Sequence, residues 1–280
     1  MAIIIDGKEL AKKVKEELKI ECEKLKKNGV NPRLAVIMVG NNPASKVYVK
    51  NKSKACETVG IEYEEHLLDD NTTQEQLNNL ILELNGNGKI HGILLQSPVP
   101  NMLDINEAFK LISDKKDVDG FNPNSVGKLV IGEDTFISCT PFGVMKMFEE
   151  YNIDLEGKYV VILGRSNIVG KPLIQCCLNK NATVTICHSK TKDLASHTKR
   201  ADIIIAAIGK AKFVTKDMIK QGAVVIDVGI NRTEEGKLVG DVDFENIEKF
   251  ASYITPVPGG VGPMTIAMLM NNVIKAAKKQ

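Results

Sequence analysis

Several classes of protein are excluded by what this sequence lacks. It has no excess of one charge, because 37 basic and 35 acidic residues leave a formal net charge of +2. Nucleic acid is therefore not expected as a main partner. No apolar run approaches the roughly 18 residues of a membrane span. The start, Met1 to Gly7, turns polar too soon for a signal peptide. We expect a cytoplasmic globular protein without a membrane partner.

The six cysteines form neither a CxxC pair nor a Cys/His cluster with zinc spacing. No metal site is therefore expected. Several of the cysteines lie in apolar stretches, where a free thiol behaves as a small hydrophobic group. A reducing compartment fits this pattern best.

The hydrophobic pattern alternates between strands and helices, which predicts right-handed crossovers and a mainly parallel sheet. The predicted elements of the first half are a helix over 8–27, a strand over 33–39, a helix from Pro43 to Gly60, a strand over 61–67, a helix over 73–87 and a strand over 90–95. Residues 113–140, rich in Asp, Asn and Gly, are interpreted as a long functional loop and domain crossing.

A helix near 141–151 precedes a second α/β unit. Its predicted strands are 159–163, 183–187, 202–208 and 223–228, with helical segments between them, and a final helix over 264–278 follows a Pro/Gly cluster at 255–263. We expect an α/β fold of two domains with a cleft between them: an N-terminal α/β domain, 1–138, completed by the C-terminal helix 264–280, and a Rossmann-type domain, 139–263.

A nucleotide site is indicated where the strand ending at Leu163 meets Gly164-Arg165-Ser166-Asn167-Ile168-Val169-Gly170. Gly164 permits a tight turn, and the following helix start offers N–H groups to phosphate. The segment is not GxGxxG, and an ordinary strand–turn–helix remains the alternative. No carboxylate ends the second strand, where NAD sites carry one. Arg165, Ser189 and Lys190 favour the 2′-phosphate of NADP, although an exposed polar turn fits too.

A helical stripe carries the candidate base. Five residues share it by i,i+3 and i,i+4 spacing: Ser45, Tyr48, Lys52, Ala55 and Val59. Because the stripe is otherwise small or apolar, we expect Tyr48 and Lys52 to face the protein. A base acting near neutrality needs the pKa of its amine lowered by about 3 units from 10.4. A solvated surface Lys is the alternative.

Three further segments hold candidate site residues, each with a purely structural alternative. Gln96 follows a strand and can hydrogen-bond Lys52 without holding it charged, or simply start a loop. Asp119 can accept two parallel hydrogen bonds from a heterocycle, or stand solvated in a turn. The Gly/Pro cluster at 255–263 can approach a ligand closely or act as a rigid hinge.

Taken together, these segments resemble the methylenetetrahydrofolate dehydrogenase/cyclohydrolase family. The matching segments are Tyr48 to Lys52, Gln96 to Pro100, Lys116 to Phe121, Cys139 to Pro141, Gly164 to Pro172, Asp227 to Asn231 and Pro256 to Thr265. The resemblance implies NADP-dependent oxidation of 5,10-methylenetetrahydrofolate, then hydrolysis of the methenyl product to 10-formyltetrahydrofolate. It also implies a homodimer and a place in one-carbon metabolism and purine biosynthesis.

The resemblance implies a role for individual residues. Lys52 matches the catalytic lysine, Tyr48 the ring near the folate, Gln96 the residue that tunes the lysine, and Asp119 the pterin-binding carboxylate. The positions matching NADP contacts are Gly164, Arg165, Ser166, Ser189 and Ile230. Those matching a substrate-side loop are Pro258, Gly259, Gly260, Val261 and Gly262. Residues 1–138 with 264–280 would bind folate, and 139–263 would bind NADP.

Two rival functions follow from the same fold class. A shikimate-dehydrogenase-like NADP enzyme also uses a helix Lys, but it would need further cationic or hydroxyl groups for a carboxylate. A non-catalytic nucleotide-binding protein would be expected to lose Lys52 or Gln96, and both are present.

Overall fold

A computed structural model describes all residues 1–280. The chain divides into two compact units, one formed by residues 1–11 with 140–265 and the other by 12–139 with 266–280. In the first half of the chain the elements are β1 (Ile3–Ile4), α1 (Gly7–Lys27), β2 (Arg33–Val39), α2 (Pro43–Val59), β3 (Glu62–Leu68), α3 (Gln74–Gly86), β4 (Gly92–Leu95), α4 (Ile105–Leu111) and α5 (Pro123–Val130).

The unit of residues 12–139 and 266–280 is built on a three-stranded parallel sheet in the order β3-β2-β4. All four residues of β4 are buried, as are six of the seven in β2, which explains their continuous apolar sequence. The predicted α2 is confirmed at both ends. The Asn42 side chain accepts from the Ser45 N–H, Pro43 occupies the first turn, and Gly60 ends the helix in a left-handed conformation.

The predicted loop over 113–140 is wrong in one part, because α5 lies inside it. The Asn122 side chain accepts from the Asn124 N–H, and Pro123 takes the first helical position. These are the start signals that Asn42 and Pro43 give to α2, so the sequence carried the information. The many Gly and Asp residues around α5 favoured the interpretation of this segment as a loop.

The second half of the chain continues with α6 (Cys139–Glu150), β5 (Tyr159–Leu163), α7 (Gly170–Leu178), β6 (Thr183–Cys187), α8 (Leu194–Thr198), β7 (Ile203–Ala206), β8 (Val224–Asp227), β9 (Asn231–Arg232), β10 (Leu238–Val239), α9 (Phe244–Ile247), β11 (Tyr253–Ile254) and α10 (Val261–Lys279). The final helix thus starts inside the Pro/Gly cluster, three residues before the predicted 264. None of the helices combines the length and apolar character that a membrane span needs.

The unit of residues 1–11 and 140–265 contains a six-stranded sheet in the order β1-β11-β8-β7-β5-β6, with every pairing parallel. Its structure differs from the predicted division at the N-terminus. Residues 1–11 belong here because Ile3 and Ile4 pair with Tyr253 and Ile254. The connection from β7 to β8 also differs, since it holds a 3₁₀ helix, Lys216–Met218, and no α-helix. The two-residue strands β9 and β10 form an unpredicted antiparallel pair.

Candidate active site

The predicted stripe on α2 is buried over most of its length. Ser45, Ala55 and Val59 are no more than 4% exposed, and Lys52 is half-buried. Tyr48 differs from the prediction, because its side chain is 43% exposed and so does not face the protein interior. The ring therefore lies on the surface of its unit, available to a ligand.

Lys52 meets Gln96, which follows directly after β4 and is buried. The Lys52 Nζ donates to the Gln96 Oε1 at 2.8 Å. The Gln96 Nε2 donates to its neighbour's carbonyl, Ser97 O, at 2.6 Å. Since the amide nitrogen is thereby engaged, the neutral amide oxygen is the end presented to Lys52.

Backbone pairing brings Asp119 to the same edge of the sheet. Asp117 forms an isolated parallel bridge to Ile93, and the Ile93 N–H donates to the Lys116 carbonyl at 2.8 Å. The chain turns directly after this bridge, because the Gly120 N–H donates to the Asp117 carbonyl at 3.0 Å, and Asp119 lies within that turn. The bridge therefore anchors this turn beside β4, and the charge of Asp119 acts on Lys52, which also bonds Gln96.

The electrostatics of this group depend on burial. Burial lowers the pKa of Lys52, while the charge of Asp119 raises it. Burial likewise raises the pKa of Asp119, against the charge of Lys52 and a hydrogen bond from the Cys139 thiol. A lysine base is favoured by non-acidic neighbours, since a nearby carboxylate raises its pKa. The structure instead places a carboxylate there, and the effect of burial still exceeds it.

Asn272, which the sequence argument missed, holds the Asp119 segment from α10. Its buried Nδ2 donates to the carbonyls of Val118 at 2.8 Å and Ile137 at 3.0 Å. No spacing rule links a residue in the last helix to a segment more than a hundred positions earlier, so the sequence offered no signal for it.

A pocket of about 340 Å³ lies at the carboxyl ends of β5, β6 and β7. Its lining includes Gly164, Arg165, Ser166 and Ser189 of the predicted nucleotide set, together with Ile208 and Lys210, which were not predicted. Lys190 is not among the lining residues. Gly164 has φ +111°, and an added Cβ would meet the Ala207 carbonyl oxygen at 2.1 Å. Only glycine fits this turn, which lets the backbone approach a ligand closely.

Ser166 has a local function at the start of α7. Its Oγ accepts from the N–H groups of Val169 at 3.2 Å and Gly170 at 3.4 Å, and its carbonyl accepts from the Lys171 N–H at 3.0 Å. Part of the N–H set expected to face phosphate is thus already bonded within the turn. The pocket fits an NADP through its glycine turn, cationic side chains and hydroxyl groups.

The remaining predicted residues lie in the same unit as this pocket. Ile230 is 48% exposed, and its Cδ1 lies 3.6 Å from where a Cβ on Gly262 would be. In the 258–262 segment, Gly259 has φ +105°, and its carbonyl accepts from the Lys8 N–H at 3.0 Å. An added Cβ on Gly260 would meet the Pro256 oxygen at 2.5 Å. The segment is therefore tightly built, with glycine required at its centre.

A glycine turn opening a pocket at the carboxyl ends of a parallel sheet defines an NAD(P)-binding unit. Comparison with known proteins agrees. The family description "Tetrahydrofolate dehydrogenase/cyclohydrolase, catalytic domain" matches residues 5–119. The corresponding "NAD(P)-binding domain" matches residues 138–280.

Individual relatives match over the full length. The bifunctional protein FolD of Acetivibrio thermocellus is 57% identical over 279 residues, covering 100% of this chain and 98% of its own. The crystal structure of FolD from Campylobacter jejuni superposes with a TM-score of 0.99 at 53% identity, covering 100% of this chain and 99% of that one. The Trypanosoma brucei enzyme, solved with NADP cofactor and an inhibitor, gives a TM-score of 0.95 at 38% identity, covering 99% and 98%.

The chain belongs to the tetrahydrofolate dehydrogenase/cyclohydrolase family. It is a bifunctional enzyme that uses NADP to oxidise 5,10-methylenetetrahydrofolate and then hydrolyses the methenyl product to 10-formyltetrahydrofolate. The shikimate dehydrogenase of Thermus thermophilus shares only the fold, at 13% identity and a TM-score of 0.55. Neither rival function is favoured.

Proposed function

We propose that Lys52 is the base of the hydrolytic step. The observation that carries this is the 2.8 Å bond between its Nζ and Gln96, in a site where burial lowers the pKa of the amine. A neutral amine can take a proton from water as the water oxygen bonds to the methenyl carbon. The C–N5 bond then breaks as N5 takes up the proton of the new hydroxyl group, which leaves the formyl group on N10. An uncharged Lys52 also avoids repelling the cationic substrate of this step.

The preceding oxidation depends on alignment. NADP⁺, when bound, supplies a hydride acceptor for the methylene carbon. The protein's own contribution is to orient the two reactants, which lowers the entropic part of the barrier. We assign this to the Tyr48 ring stacking on the folate, Asp119 accepting from the pterin, and the 258–262 segment approaching the substrate.

The nucleotide set supports a division of roles between the two units. Gly164, Arg165, Ser166 and Ser189 line the pocket of the unit that contains the six-stranded sheet. We assign NADP binding to that unit, with Ile230 as a further contact. Folate chemistry is assigned to the unit that carries Lys52, Gln96 and Asp119.

The direct test supplies 5,10-methylenetetrahydrofolate and NADP⁺ and follows NADPH formation and methenyl decay separately. Asp119→Ala should weaken folate binding and reduce both activities, while NADP⁺ affinity stays nearly unchanged. Unchanged folate affinity and rates in a folded variant would show that Asp119 does not bind the pterin and is only a loop residue.

The finer cellular assignments are also proposals. We propose a cytoplasmic homodimer that does not bind nucleic acid. All six cysteines are free and buried, which suits a reducing compartment, and the near-balanced charge gives no attraction to a polyanion. Sedimentation equilibrium giving the mass of one chain would contradict the dimer.

A further inference from the structure

Asp241 is a completely buried carboxylate that is bonded by N–H groups. Its Oδ2 accepts from the backbone N–H groups of Ile208 at 2.7 Å and Gly209 at 3.0 Å. Its Oδ1 accepts from the Lys210 N–H at 2.8 Å and from the Asn231 Nδ2 at 3.0 Å. Three successive backbone donors thus converge on one side chain, an arrangement that binds an anion strongly.

The turn held in this way forms part of the nucleotide pocket. It follows β7, and both Ile208 and Lys210 line the pocket. The residue before it, Ala207, places its carbonyl where a Cβ on Gly164 would lie. A shift of this turn would therefore move one wall of the pocket and disturb the glycine turn packed against it.

Asp241 is itself fixed by a second buried carboxylate. Asp227, at the end of β8, accepts from the N–H groups of Asp241 at 2.9 Å and Val242 at 2.8 Å. Glycine provides the space for both carboxylates. A Cβ on Gly229 would lie 2.3 Å from the Asp241 carboxylate, and one on Gly240 would lie 1.8 Å from that of Asp227. The turn after β7 is thus tied, through two carboxylates, to the end of the neighbouring strand.

We propose that Asp241 is a positioning residue for NADP binding, which acts by fixing the Ile208–Lys210 turn in its binding conformation. This rests on the proposed assignment of the pocket to NADP. A turn ordered in advance lowers the entropic cost of binding. Because the carboxylate occupies these three N–H groups, they serve the architecture of the pocket and are not donors to the nucleotide's phosphates.

The test compares Asp241→Asn with the wild type and with Asp243→Asn as a matched control. Asp243 is two positions away, and its carboxylate accepts from Asn246, outside the pocket. Replacing one acceptor oxygen by a donor amide should raise the Kd and KM for NADP⁺ about tenfold or more. The dehydrogenase kcat at saturating NADP⁺ and the cyclohydrolase rate with methenyltetrahydrofolate should stay within about twofold, as should every parameter of the control.

Arg165→Ala separates this inference from the assignment of the pocket. If Arg165→Ala weakens NADP⁺ binding and a folded Asp241→Asn does not, the positioning role is refuted and the pocket stands. If neither variant changes NADP⁺ affinity, the positioning role of Asp241 and the assignment of the pocket to NADP are both refuted. Equal losses in kcat, cyclohydrolase rate and NADP⁺ affinity would show a general structural role and refute the inference.

A measurement on the wild type covers the case in which Asp241→Asn does not fold. Amide hydrogen exchange at residues 208–210 should already be slow without NADP⁺, because the carboxylate holds these N–H groups. Fast exchange that slows only when NADP⁺ is added would show that the ligand orders the turn, which contradicts prior positioning.

Discussion

Lys52 and Asp119 illustrate how a site adjusts two ionisable groups at once. Burial disfavours both charges, whereas their mutual attraction favours both. Desolvation is the larger effect at each residue. The neutral partner at 2.8 Å, Gln96, satisfies the lysine by hydrogen bonding without adding a second negative charge. The protonation state of Lys52 is therefore sensitive to any change at Gln96.

Lys52→Met should remove the base and keep much of the side-chain volume, so the fold should survive. We expect cyclohydrolase activity to fall about a hundredfold or more. Dehydrogenase activity should fall less, because hydride transfer depends more on alignment. Methenyltetrahydrofolate supplied directly, with its hydrolysis followed above the buffer background, gives the measurement. Lys54→Met, on the exposed side of the same helix, is the control. Hydrolysis at the wild-type rate would place the base elsewhere.

Gln96→Glu should place a carboxylate beside the Lys52 amine and raise its pKa, since a nearby negative charge favours the ammonium form. A smaller fraction of neutral lysine then remains at a given pH. The cyclohydrolase rate should fall near neutrality, and the rising limb of its pH profile should move to higher pH. The same substitution in a Lys52→Met background should leave the profile unchanged. A limb that moves in both backgrounds would belong to another group.

The β5–turn–α7 element must both allow close backbone approach and satisfy the N–H groups at the start of its helix. Gly164 brings the backbone close to the pocket, and Gly170 sits where a Cβ would meet the Gly164 oxygen at 2.1 Å. Ser166 stabilises the first N–H groups of α7 from within the turn. This explains why the segment departs from GxGxxG. The Ser166 hydroxyl bonds the N–H groups of Val169 and Gly170, and the second close approach falls one residue later than in that motif.

Cofactor choice belongs to the same element. No carboxylate ends β6, and Arg165 and Ser189 line the pocket together with Lys210. NADP⁺ should therefore have a clearly higher kcat/KM than NAD⁺, because cationic groups attract the 2′-phosphate. Arg165→Ala should narrow the difference mainly by lowering kcat/KM for NADP⁺. As a control, Arg232→Ala, which replaces an exposed arginine of the same unit, should leave the difference in kcat/KM between the two cofactors unchanged. Equal use of both cofactors by the wild type would contradict this prediction.

At the scale of the whole molecule, a buried carboxyl, that of Asp117, makes stability depend on pH. Burial raises the pKa of Asp117 from 3.8 to about 7, even though its oxygens accept from the Phe121 and Asn122 N–H groups. A raised pKa in the folded state means that folding favours the protonated form. The stability from this group is fully present below pH 3.8 and is lost as the pH rises through about 7.

Asp117→Asn should consequently flatten the pH dependence of the free energy of unfolding. A shift of this size corresponds to roughly 4 kcal/mol between the two limits. The variant also loses stability independently of pH, because its amide nitrogen cannot accept the backbone N–H. The slope between pH 4 and pH 7, from reversible denaturant unfolding, is therefore the quantity to compare, and equal slopes would refute the assignment.

The sequence by itself determined most of the elements and indicated the kind of chemistry. Asn42, Pro43 and Gly60 set the bounds of α2 through local capping, and apolar runs marked the buried strands. The ordered motifs indicated the family and its cofactor. These signals lie within a few residues of one another, so the local backbone geometry they require can be recognised without knowledge of the fold.

The tertiary structure alone decided which residues meet. It placed Asp119 near Lys52, in the turn that follows the bridge from Asp117 to β4, and it supplied Asn272 from the last helix. It left the Tyr48 ring exposed, and it showed Lys210 in the nucleotide pocket with Asp241 behind it. Such contacts join positions far apart in sequence, and a buried carboxylate bonded only to N–H groups has no characteristic spacing. Its surroundings exist only once the strands are paired.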